Sequence, residues 1–365
     1  MTQTVQRSGE DDYGVRWSRG DDRDGILTLY EAEWGRRPSC EWFDWKYVDD
    51  PYLSHVPVTV AKRGGEVVGA QAYVPFPVRR GDRTALALQP ADAVVHRDHR
   101  RNGLYTRMTR AAIDRYESGE PAFFFNFPNP GALAAQEEIG WSAVDRVGTS
   151  YRVQDPAMLA DGTSALTALV DAVGAVSRSV LDLRSRSVSA PEGLTVARHE
   201  KPPAETLAAL YDRARSDGFH VRRDAEFYDW WLGDPSFDHR AYVARWHGRP
   251  VAALVTRTRE GRKEKLLDAL PMAADRPAAL RALLAVWTDD SDAAVLSVAE
   301  STLPGGRLLS FGFVPDDAPV VSRVCTRTNL AARPLAPDGE DSPFRRAELA
   351  DAANWQITFA EQDRF

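Results

Sequence analysis

Apolar and polar residues follow two different periods along the first 155 residues, and the two periods predict helices and strands in alternation. A period of about 3.6 residues predicts helices, at 25–34, 39–47, 104–117 and 131–139. A period of two predicts strands, at 58–62, 67–76, 85–96 and 149–153. The continuous apolar run 122–127, bounded by Pro128, is typical of a strand buried on both faces. These elements predict a mixed sheet flanked by helices.

One motif occurs twice. The segment Phe43–Pro51 (FDWKYVDDP) resembles Tyr228–Pro235 (YDWWLGDP), with one residue deleted. Each copy is followed by two β-favouring runs joined at a glycine-containing pair, Gly64-Gly65 in the first and His247-Gly248 in the second, which predicts a hairpin. We infer that a domain has been duplicated.

The repeat sets the expected domain boundaries. The first domain is predicted at 1–155 and the second at 194–332. Residues 156–193 are interpreted as a helical connector, because apolar residues recur near the helical period between Thr163 and Arg186. Residues 333–365 are interpreted as a loop and C-terminal tail, since 333–342 are rich in Pro, Asp and Gly.

Composition and charge narrow the class of protein. The chain has 365 residues, enough for two ordinary domains, with 43% hydrophobic and 27% charged residues, close to the norm for globular proteins. With 46 basic and 53 acidic residues the net charge is −7, which gives no reason to expect a nucleic-acid partner.

Cysteines and apolar segments exclude other classes. Cys40 and Cys325 are the only cysteines, and no CxxC or HExxH motif occurs, so we predict no metal site. The first residues are polar and acidic, unlike a signal peptide. The most apolar helical stretch, 278–287, is half the length of a membrane span, so no membrane partner is predicted. We expect a soluble, cytoplasmic protein.

The candidate chemistry lies between a predicted strand and a predicted helix, at Arg97–Tyr105. Unpaired N–H groups at a helix N-terminus, together with the helix dipole, bind anions. Gly103 permits a close backbone approach, and Arg97, Arg100 and Arg101 add positive charge. A diphosphate fits this arrangement, although the same residues also fit a plain turn before a helix. The loop has neither the glycines of a dinucleotide-binding fingerprint nor the Gly-Lys-Ser/Thr of a P-loop.

With these residues in place, the sequence resembles the GNAT superfamily of acyl-CoA-dependent N-acetyltransferases. The family loop is Arg/Gln-x-x-Gly-x-Gly/Ala; Arg100 and Gly103 match, whereas Tyr105 stands where the family has a small residue. A second family feature, an Asn that opens a helix ending in Gly-aromatic, matches Asn129 and Gly140-Trp141.

The resemblance implies an α/β fold made of two tandem GNAT-like domains, each a mixed, mostly antiparallel twisted sheet flanked by helices. The second copy keeps a Gly-aromatic ending at Gly312-Phe313 but has no Arg-x-x-Gly loop; 270–277 stand in its place. It therefore resembles a degenerate copy, and the first copy is expected to be the catalytic one.

The resemblance also implies a cofactor and an activity. Acetyl-CoA would be the acyl donor, with its diphosphate on the loop and its pantetheine arm along the backbone of Val94 and Val95, one of which would donate its N–H to the thioester oxygen. The acceptor would be a primary amine of a small molecule, such as an amino sugar. The loop residues expected to bind the cofactor are Arg100, Arg101, Asn102, Gly103, Leu104 and Tyr105.

Catalytic residues are harder to assign. Many family members have a Tyr proton donor four residues before the Gly of the Gly-aromatic pair, where this chain has Gln136. Tyr105 and Tyr116 are possible substitutes, or packing residues. Asp92 is the first choice for the base, with an ion pair as the other interpretation. Asn129 would bind the pantetheine or a water, or cap its helix.

Two other functions stay open. A non-catalytic acyl-CoA sensor or scaffold is compatible with Gln136 and with the degenerate second copy. An aminoacyl transferase of the peptidoglycan-bridge type also uses paired GNAT-like domains, but it would not need the diphosphate loop. The sequence leaves a homodimer open.

Overall fold

The chain folds into two compact units, seen in a computed structural model that describes residues 13–117, 119–155, 191–259, 262–273, 276–319, 321–323, 325–335 and 343–363. The first unit comprises Met1–Val78, Thr84–Val144 and Ala331–Ala350. The second comprises Arg79–Arg83, Asp145–Leu330 and Asp351–Phe365. The predicted connector helix at 163–186 lies outside the described residues.

The helices and strands follow a similar order in both halves of the chain, with a strand at His220–Val221 and a helix at Arg346–Ala350 as additions in the second half. In the first half they are β1 (Gly14–Trp17), α1 (Arg23–Trp34), α2 (Cys40–Tyr47), β2 (Val58–Arg63), β3 (Glu66–Arg80), β4 (Arg83–Val95), α3 (Leu104–Tyr116), β5 (Phe123–Asn126), α4 (Pro130–Glu137), β6 (Ser142–Val147) and β7 (Thr149–Val153). In the second half they are β8 (Leu194–His199), α5 (Ala204–Arg213), β9 (His220–Val221), α6 (Ala225–Trp231), β10 (Asp238–Trp246), β11 (Arg249–Arg259), β12 (Lys263–Leu270), α7 (Pro277–Asp290), β13 (Val295–Ala299), α8 (Gly305–Ser310), β14 (Val314–Pro315), β15 (Thr328–Pro334) and α9 (Arg346–Ala350).

The two sheets have the same topology. The first runs β1-β2-β3-β4-β5-β15-β6, and the second runs β8-β10-β11-β12-β13-β7-β14. Strands β1 to β3 pair antiparallel, as do β8 and β10 to β12. The parallel pairs are β4 with β5 and β12 with β13, at the same place in each sheet. The fold is therefore mixed α/β with two mostly antiparallel sheets flanked by helices, as the sequence predicts.

The duplicated segments explain why both halves fold alike. The hairpins close at two-residue turns in which Gly64, Gly65, His247 and Gly248 all have positive φ, the conformation that two-residue hairpins require. In the first copy Arg63 pairs with Glu66, and in the second Trp246 pairs with Arg249. Both predicted hairpins are confirmed.

Two strands lie in a different sheet from the one that the sequence order suggests. β7, which we expected to be the last strand of the first domain, pairs with β13 in the second sheet. β15 pairs with β5 in the first sheet, and it includes Arg333 and Pro334, which we expected to lie in a loop. Hydrophobic periodicity identifies a strand but not its partner, because any open sheet edge offers the same backbone groups.

The core of the first unit positions its candidate site. The apolar stripe of α3, including Met108, Ala112 and Ile113, is buried, and the β5 residues Phe123–Phe125 are buried on both faces, as predicted. Ile113 packs in one cluster with Leu88 of β4 and Phe124 of β5. The N-terminus of α3 is thereby fixed beside the C-terminal end of β4.

No helix in the described ranges has the length and apolar character needed to cross a membrane. Over the same residues, no group of three or more His, Cys, Asp or Glu side chains could hold a metal ion.

Candidate functional site

The central strands of the first sheet separate near the end of β4. Within the described residues, β4 and β5 pair at Ala87–Phe123 and Leu88–Phe124, and β4 then continues to Val95 without β5 beside it. Among the described residues, the end of β4 at Val94 and Val95 has no residue of β5 paired with it. An unpaired strand edge can bind an extended ligand through its N–H and C=O groups.

Asp92 lies within this unpaired part of β4 in an unusual conformation. Its φ is +48°, a left-handed value that non-glycine residues rarely adopt and that a strand tolerates at a bulge. Its carboxylate accepts hydrogen bonds at Oδ2 from the buried Lys46 ammonium, 2.6 Å away, and from the Tyr47 hydroxyl. Oδ1 accepts no hydrogen bond from the described residues, and 20% of the side chain is exposed. The predicted ion pair exists, with a lysine rather than an arginine.

The loop after β4 turns sharply before α3 begins. Residues Arg97–His99 form a 3₁₀ turn, and Arg101 and Gly103 both have positive φ, of +63° and +68°. Gly103 is the N-cap residue of α3, and a side chain there would meet nothing within 4 Å. Glycine is therefore needed for the backbone conformation rather than for lack of space.

The N-terminus of α3 presents a row of free donors. The first backbone hydrogen bond of the helix runs from Arg107 N–H to the Gly103 carbonyl. In the part of the chain that the structure describes, the N–H groups of residues 101–106 have no acceptor. Six successive free donors at the positive end of a 13-residue helix are suited to bind an anion.

The three arginines of the loop have different partners. Arg97 and Arg100 both bind the carboxylate of Glu33 at the end of α1, and Arg100 Nε also donates to the Val95 carbonyl across 3.0 Å. Arg101 is exposed and makes no hydrogen bond or ion pair with any described residue. Arg101 is therefore the loop arginine whose guanidinium is free to meet an anion.

A cleft of about 550 Å³ opens between the end of β4, the start of α3, the end of α1 and Ala135 of α4. We call it the α3 cleft. Seven residues predicted to bind the cofactor line it: Val94, Val95, Arg100, Arg101, Gly103, Leu104 and Tyr105. Glu33 and Trp34 also line it, and sequence reasoning missed both because they lie more than 60 residues away with no motif of their own.

Trp34 forms an aromatic wall of the cleft. Its ring stacks on Tyr30 at 4.1 Å between centroids and meets Trp42 edge to face at 6.5 Å. The side chain is nevertheless 37% exposed, which is high for tryptophan. An exposed, rigidly braced ring beside a donor-rich helix terminus is suited to contact a ligand.

Tyr105 and Gln136 meet beneath the cleft. Gln136 is fully buried, and its Nε2 donates to the Tyr105 hydroxyl oxygen across 3.2 Å. Gln136 Oε1 is buried without a partner among the described residues. Burial raises the pKa of the Tyr105 hydroxyl, although hydrogen bonds with Gln136 and Thr109 oppose the shift. The phenol is therefore kept in its protonated form.

Two other residues that we predicted to bind the cofactor use their side chains for hydrogen bonds close to them in the chain. Asn129 caps α4, because its Oδ1 accepts a hydrogen bond from the Ala132 N–H across 2.9 Å. Asn102 donates from Nδ2 to the His99 carbonyl at 3.1 Å, which stabilises the loop. Neither lines the α3 cleft, although the Asn102 N–H is one of the six free donors.

The second sheet separates at the equivalent place, but the gap is filled. Strands β12 and β13 pair up to Leu266–Val298, and the next inward residue, Asp268, is buried and bonded to Arg223 at 2.5 Å and to the Tyr228 hydroxyl at 2.9 Å. Glu361, near the C-terminus, binds Arg223 at 2.6 Å. The chain's own side chains thus occupy the position that Asp92 leaves partly open in the first unit.

The helix after this gap begins differently from α3. α7 begins with Pro277, which has no N–H, and its N-cap residue is Arg276 rather than a left-handed glycine. The second unit therefore has the sheet topology of the first but, in its described residues, neither the left-handed glycine cap nor the first N–H of the helix after the gap.

The family comparison agrees with this geometry. A family model described as an acetyltransferase (GNAT) domain matches residues 15–144. This part of the chain is a GNAT acetyltransferase domain. The match spans β1 to β6 and includes every residue of the α3 cleft, so the cleft belongs to the GNAT domain. No curated protein sequence matches the chain.

Solved structures resemble both units of the chain at low identity. A GCN5-related N-acetyltransferase from Kribbella flavida has 16% identity and a TM-score of 0.55, with 88% of this chain and 71% of that chain covered. One from Anabaena variabilis has 8% identity and a TM-score of 0.58, with coverages of 88% and 73%. A tandem GNAT protein from the clavulanic acid biosynthesis pathway has 17% identity and a TM-score of 0.54, with coverages of 90% and 100%. These likenesses show that the tandem arrangement of the GNAT domain and a second sheet is a shared fold.

Proposed function

We propose that the α3 cleft binds acetyl-CoA and that the protein transfers the acyl group to the primary amine of a small molecule, such as an amino sugar. The observation that supports this most directly is the row of six free N–H groups at residues 101–106, because all of these residues except Asn102 line the cleft. A diphosphate carries two negative charges in a compact group that such donors bind well. Arg101 adds a mobile positive charge beside them.

The rest of the α3 cleft also fits acetyl-CoA. The β4 edge at Val94 and Val95 lines the cleft, where an amide-rich arm such as pantetheine would pair with the strand backbone, and Trp34 supplies an apolar wall. An N–H of Val94 or Val95 is our candidate for stabilising the negative charge that develops on the thioester oxygen. When bound, the thioester supplies the activated acyl group.

Tyr105 is our candidate proton donor. In the overall reaction the amine nitrogen forms a bond to the acyl carbon, the carbon–sulfur bond breaks, and the departing thiolate takes a proton. Gln136 donates to the Tyr105 oxygen, so the hydrogen of that hydroxyl is free to point to another acceptor. Tyr105 would give this proton to the thiolate, and Gln136 would hold the ring in place.

Asp92 is our candidate base. The carboxylate would accept the proton that the attacking amine loses, and Oδ1 is the free oxygen for this role because Lys46 and Tyr47 both bind Oδ2. The strained backbone at Asp92 fixes the direction of the side chain. Asp92→Asn should lower turnover about a hundredfold while leaving the Kd for acetyl-CoA within about twofold.

Calorimetric titration with acetyl-CoA tests the proposal. We expect the wild-type protein to bind and Gly103→Glu to lose binding, because a carboxylate would stand among the diphosphate donors. Gly248→Glu is the matched control: Gly248 has a similar left-handed φ of +79° and equally open surroundings, but it lies in the second unit, so this variant should bind normally. Absence of binding by the wild-type protein would refute the proposal.

A panel of amines separates the enzyme from the sensor alternative. Release of free thiol from acetyl-CoA in the presence of amino sugars, polyamines, amino acids or peptides would identify an enzyme and its acceptor class. Binding without thiol release for any acceptor would favour the sensor. An aminoacyl transferase of the bridge type predicts no binding of acetyl-CoA at all.

A further inference from the structure

Glu33 is the last acidic residue of α1, and its position in that helix is unfavourable by itself. The side chain lies in the final turn, where the negative end of the helix dipole repels a carboxylate. It is also only 6% exposed, so it has lost most of its hydration. A buried carboxylate at a helix C-terminus requires specific partners, and all of those recorded for Glu33 come from the loop before α3.

Three contacts tie Glu33 to that loop. Its Oε1 accepts the backbone N–H of Arg97 at 2.9 Å and lies 3.5 Å from Arg97 Nε, and its Oε2 binds the Arg100 guanidinium. Arg97 Nη2 also donates to the Ala32 carbonyl of the same helix turn at 2.9 Å. Burial raises the pKa of Glu33, but the Arg97 N–H and the two guanidinium groups outweigh burial, and the pKa lies below its usual range.

These contacts end where the free donors begin. Arg97 begins the 3₁₀ turn and Arg100 follows its last residue, and the next residue, Arg101, already has the left-handed φ of the turn into α3. Glu33 fixes the segment 97–100 by a backbone contact at its start and a side-chain contact at its end. Residues 101–103 continue directly from that fixed segment, and the Asn102 side chain ties them back to it through the His99 carbonyl at 3.1 Å.

We propose that Glu33 is a positioning residue for the diphosphate site: it holds residues 97–100 so that the N–H groups of residues 101–106 converge on one anion. This proposal rests on the proposed acyl-CoA function and adds a residue to it that no motif includes. Glu33 has a further consequence for recognition. By binding Arg97 and Arg100 it takes up two of the loop's three arginines, so Arg101 is left as the side-chain cation for the ligand.

The test compares ligands with and without the diphosphate. We would measure the Kd of CoA, of 3′-dephospho-CoA and of pantetheine for the wild-type protein and for Glu33→Ala. The Kd of both diphosphate ligands should rise about tenfold, as expected for the loss of charge-assisted hydrogen bonds that order a site. The Kd of pantetheine should stay within about twofold. Equal weakening for all three ligands, or no change for CoA, would overturn the proposal.

Two further variants distinguish a loss of positioning by Glu33 from a general loss of folding. Glu33→Gln keeps an acceptor for the Arg97 N–H but removes the charge, so its effect on CoA should be intermediate, about threefold. Glu31→Gln changes an exposed carboxylate on the same helix and should change nothing. Melting temperature and circular dichroism would show whether each variant is folded.

Amide hydrogen exchange of the ligand-free protein separates this proposal from the proposed function. Exchange at residues 97–106 should become faster in Glu33→Ala while exchange in the rest of α3 is unchanged. Unchanged exchange in the loop would refute the positioning role even if CoA binds. Wild-type protein that fails to bind CoA, in contrast, would refute the proposed function, whatever the exchange result.

Discussion

Gln136 of α4 donates a hydrogen bond to the hydroxyl oxygen of Tyr105 of α3, across 3.2 Å. The two residues are 31 positions apart, and each is unusual for a GNAT domain: an amide stands where many members have a tyrosine, and a tyrosine stands where they have a small residue. The contact places the Tyr105 hydroxyl of α3 directly against the side chain that stands where those members have their tyrosine.

The first prediction concerns this pair. Tyr105→Phe should lower turnover of acetyl-CoA with an amine acceptor about a hundredfold, the usual contribution of a general acid. The Kd for acetyl-CoA should change less than about twofold, because the ring remains. Because burial raises the pKa of Tyr105 from its usual value, the hydroxyl stays protonated at neutral pH, and the rate should not fall through loss of its proton near neutral pH.

Tyr116→Phe is the control for this prediction. It removes a tyrosine hydroxyl from the same helix, but that hydroxyl binds His55 at 2.7 Å rather than Gln136. Turnover should be nearly normal. A rate in Tyr105→Phe equal to that of Tyr116→Phe would show that the Tyr105 hydroxyl has no part in the reaction.

The second prediction concerns Arg101. Arg101→Gln should raise the Kd for CoA about fivefold in low salt, and the difference should shrink as salt is added, since an exposed cation acts through a screened charge. Arg110→Gln is the control, because Arg110 is also exposed on α3 but does not line the cleft. Calorimetric titrations at two salt concentrations would measure the Kd for CoA of both variants. Equal effects of the two substitutions would mean that Arg101 contributes only general positive charge.

Much of this site could be predicted from the sequence. The rest could not, because it depends on contacts between residues that are far apart in the chain. Gly103 and the helix after it could be predicted, because a left-handed N-cap and an amphipathic stripe are local properties of the chain. Glu33 could not, because its importance arises from contacts with residues 64 and 67 positions away. The Tyr105–Gln136 contact is likewise a product of helix packing, and only the absence of the usual tyrosine was visible.

The same limit applies to the fold. The duplicated motif and its hairpins predicted two similar sheets, because both depend on short segments. The exchange of β7 and β15 between the sheets could not be predicted, since each strand carries the same alternating pattern whichever sheet it joins.

The third prediction concerns the pH dependence of stability. Burial raises the pKa of Asp50 to about 6 from 3.8, although the Leu53 and Tyr52 N–H groups oppose the shift. Folding therefore favours the protonated carboxyl, and its contribution is complete below about pH 4 and lost as the pH rises through 6. Asp50→Asn cannot ionise. Its stability relative to wild type should increase by roughly 2 kcal/mol between pH 4 and pH 8.

Urea unfolding at several pH values measures this change. Any effect of the asparagine side chain on the free energy of unfolding that does not depend on pH cancels, because only the difference between two pH values is compared. Asp49→Asn, at an exposed neighbouring position, is the control and should show a flat difference. A flat difference for Asp50→Asn as well would contradict the assignment of a raised pKa to Asp50.

The fourth prediction concerns the filled gap of the second unit. Arg223 is fully buried between Asp268 and Glu361, so Arg223→Leu leaves two buried carboxylates without their cation. This should destabilise the protein by about 3–5 kcal/mol in urea unfolding. Arg222→Leu removes a half-exposed arginine bonded to Asp224 and should cost about 1 kcal/mol or less.

Removing all three charges at once tests whether these buried side chains only stabilise the second unit or also take part in ligand binding. In the triple variant Arg223→Met, Asp268→Leu, Glu361→Met no buried charge lacks a partner, so stability should return to within about 1–2 kcal/mol of wild type. CoA binding should be normal, because the α3 cleft contains none of these residues. If the triple variant is stable but no longer binds CoA, the buried charges serve the ligand. If it is stable and binds normally, the carboxylate of β12 has become part of the core, while Asp92 of β4 has stayed partly exposed.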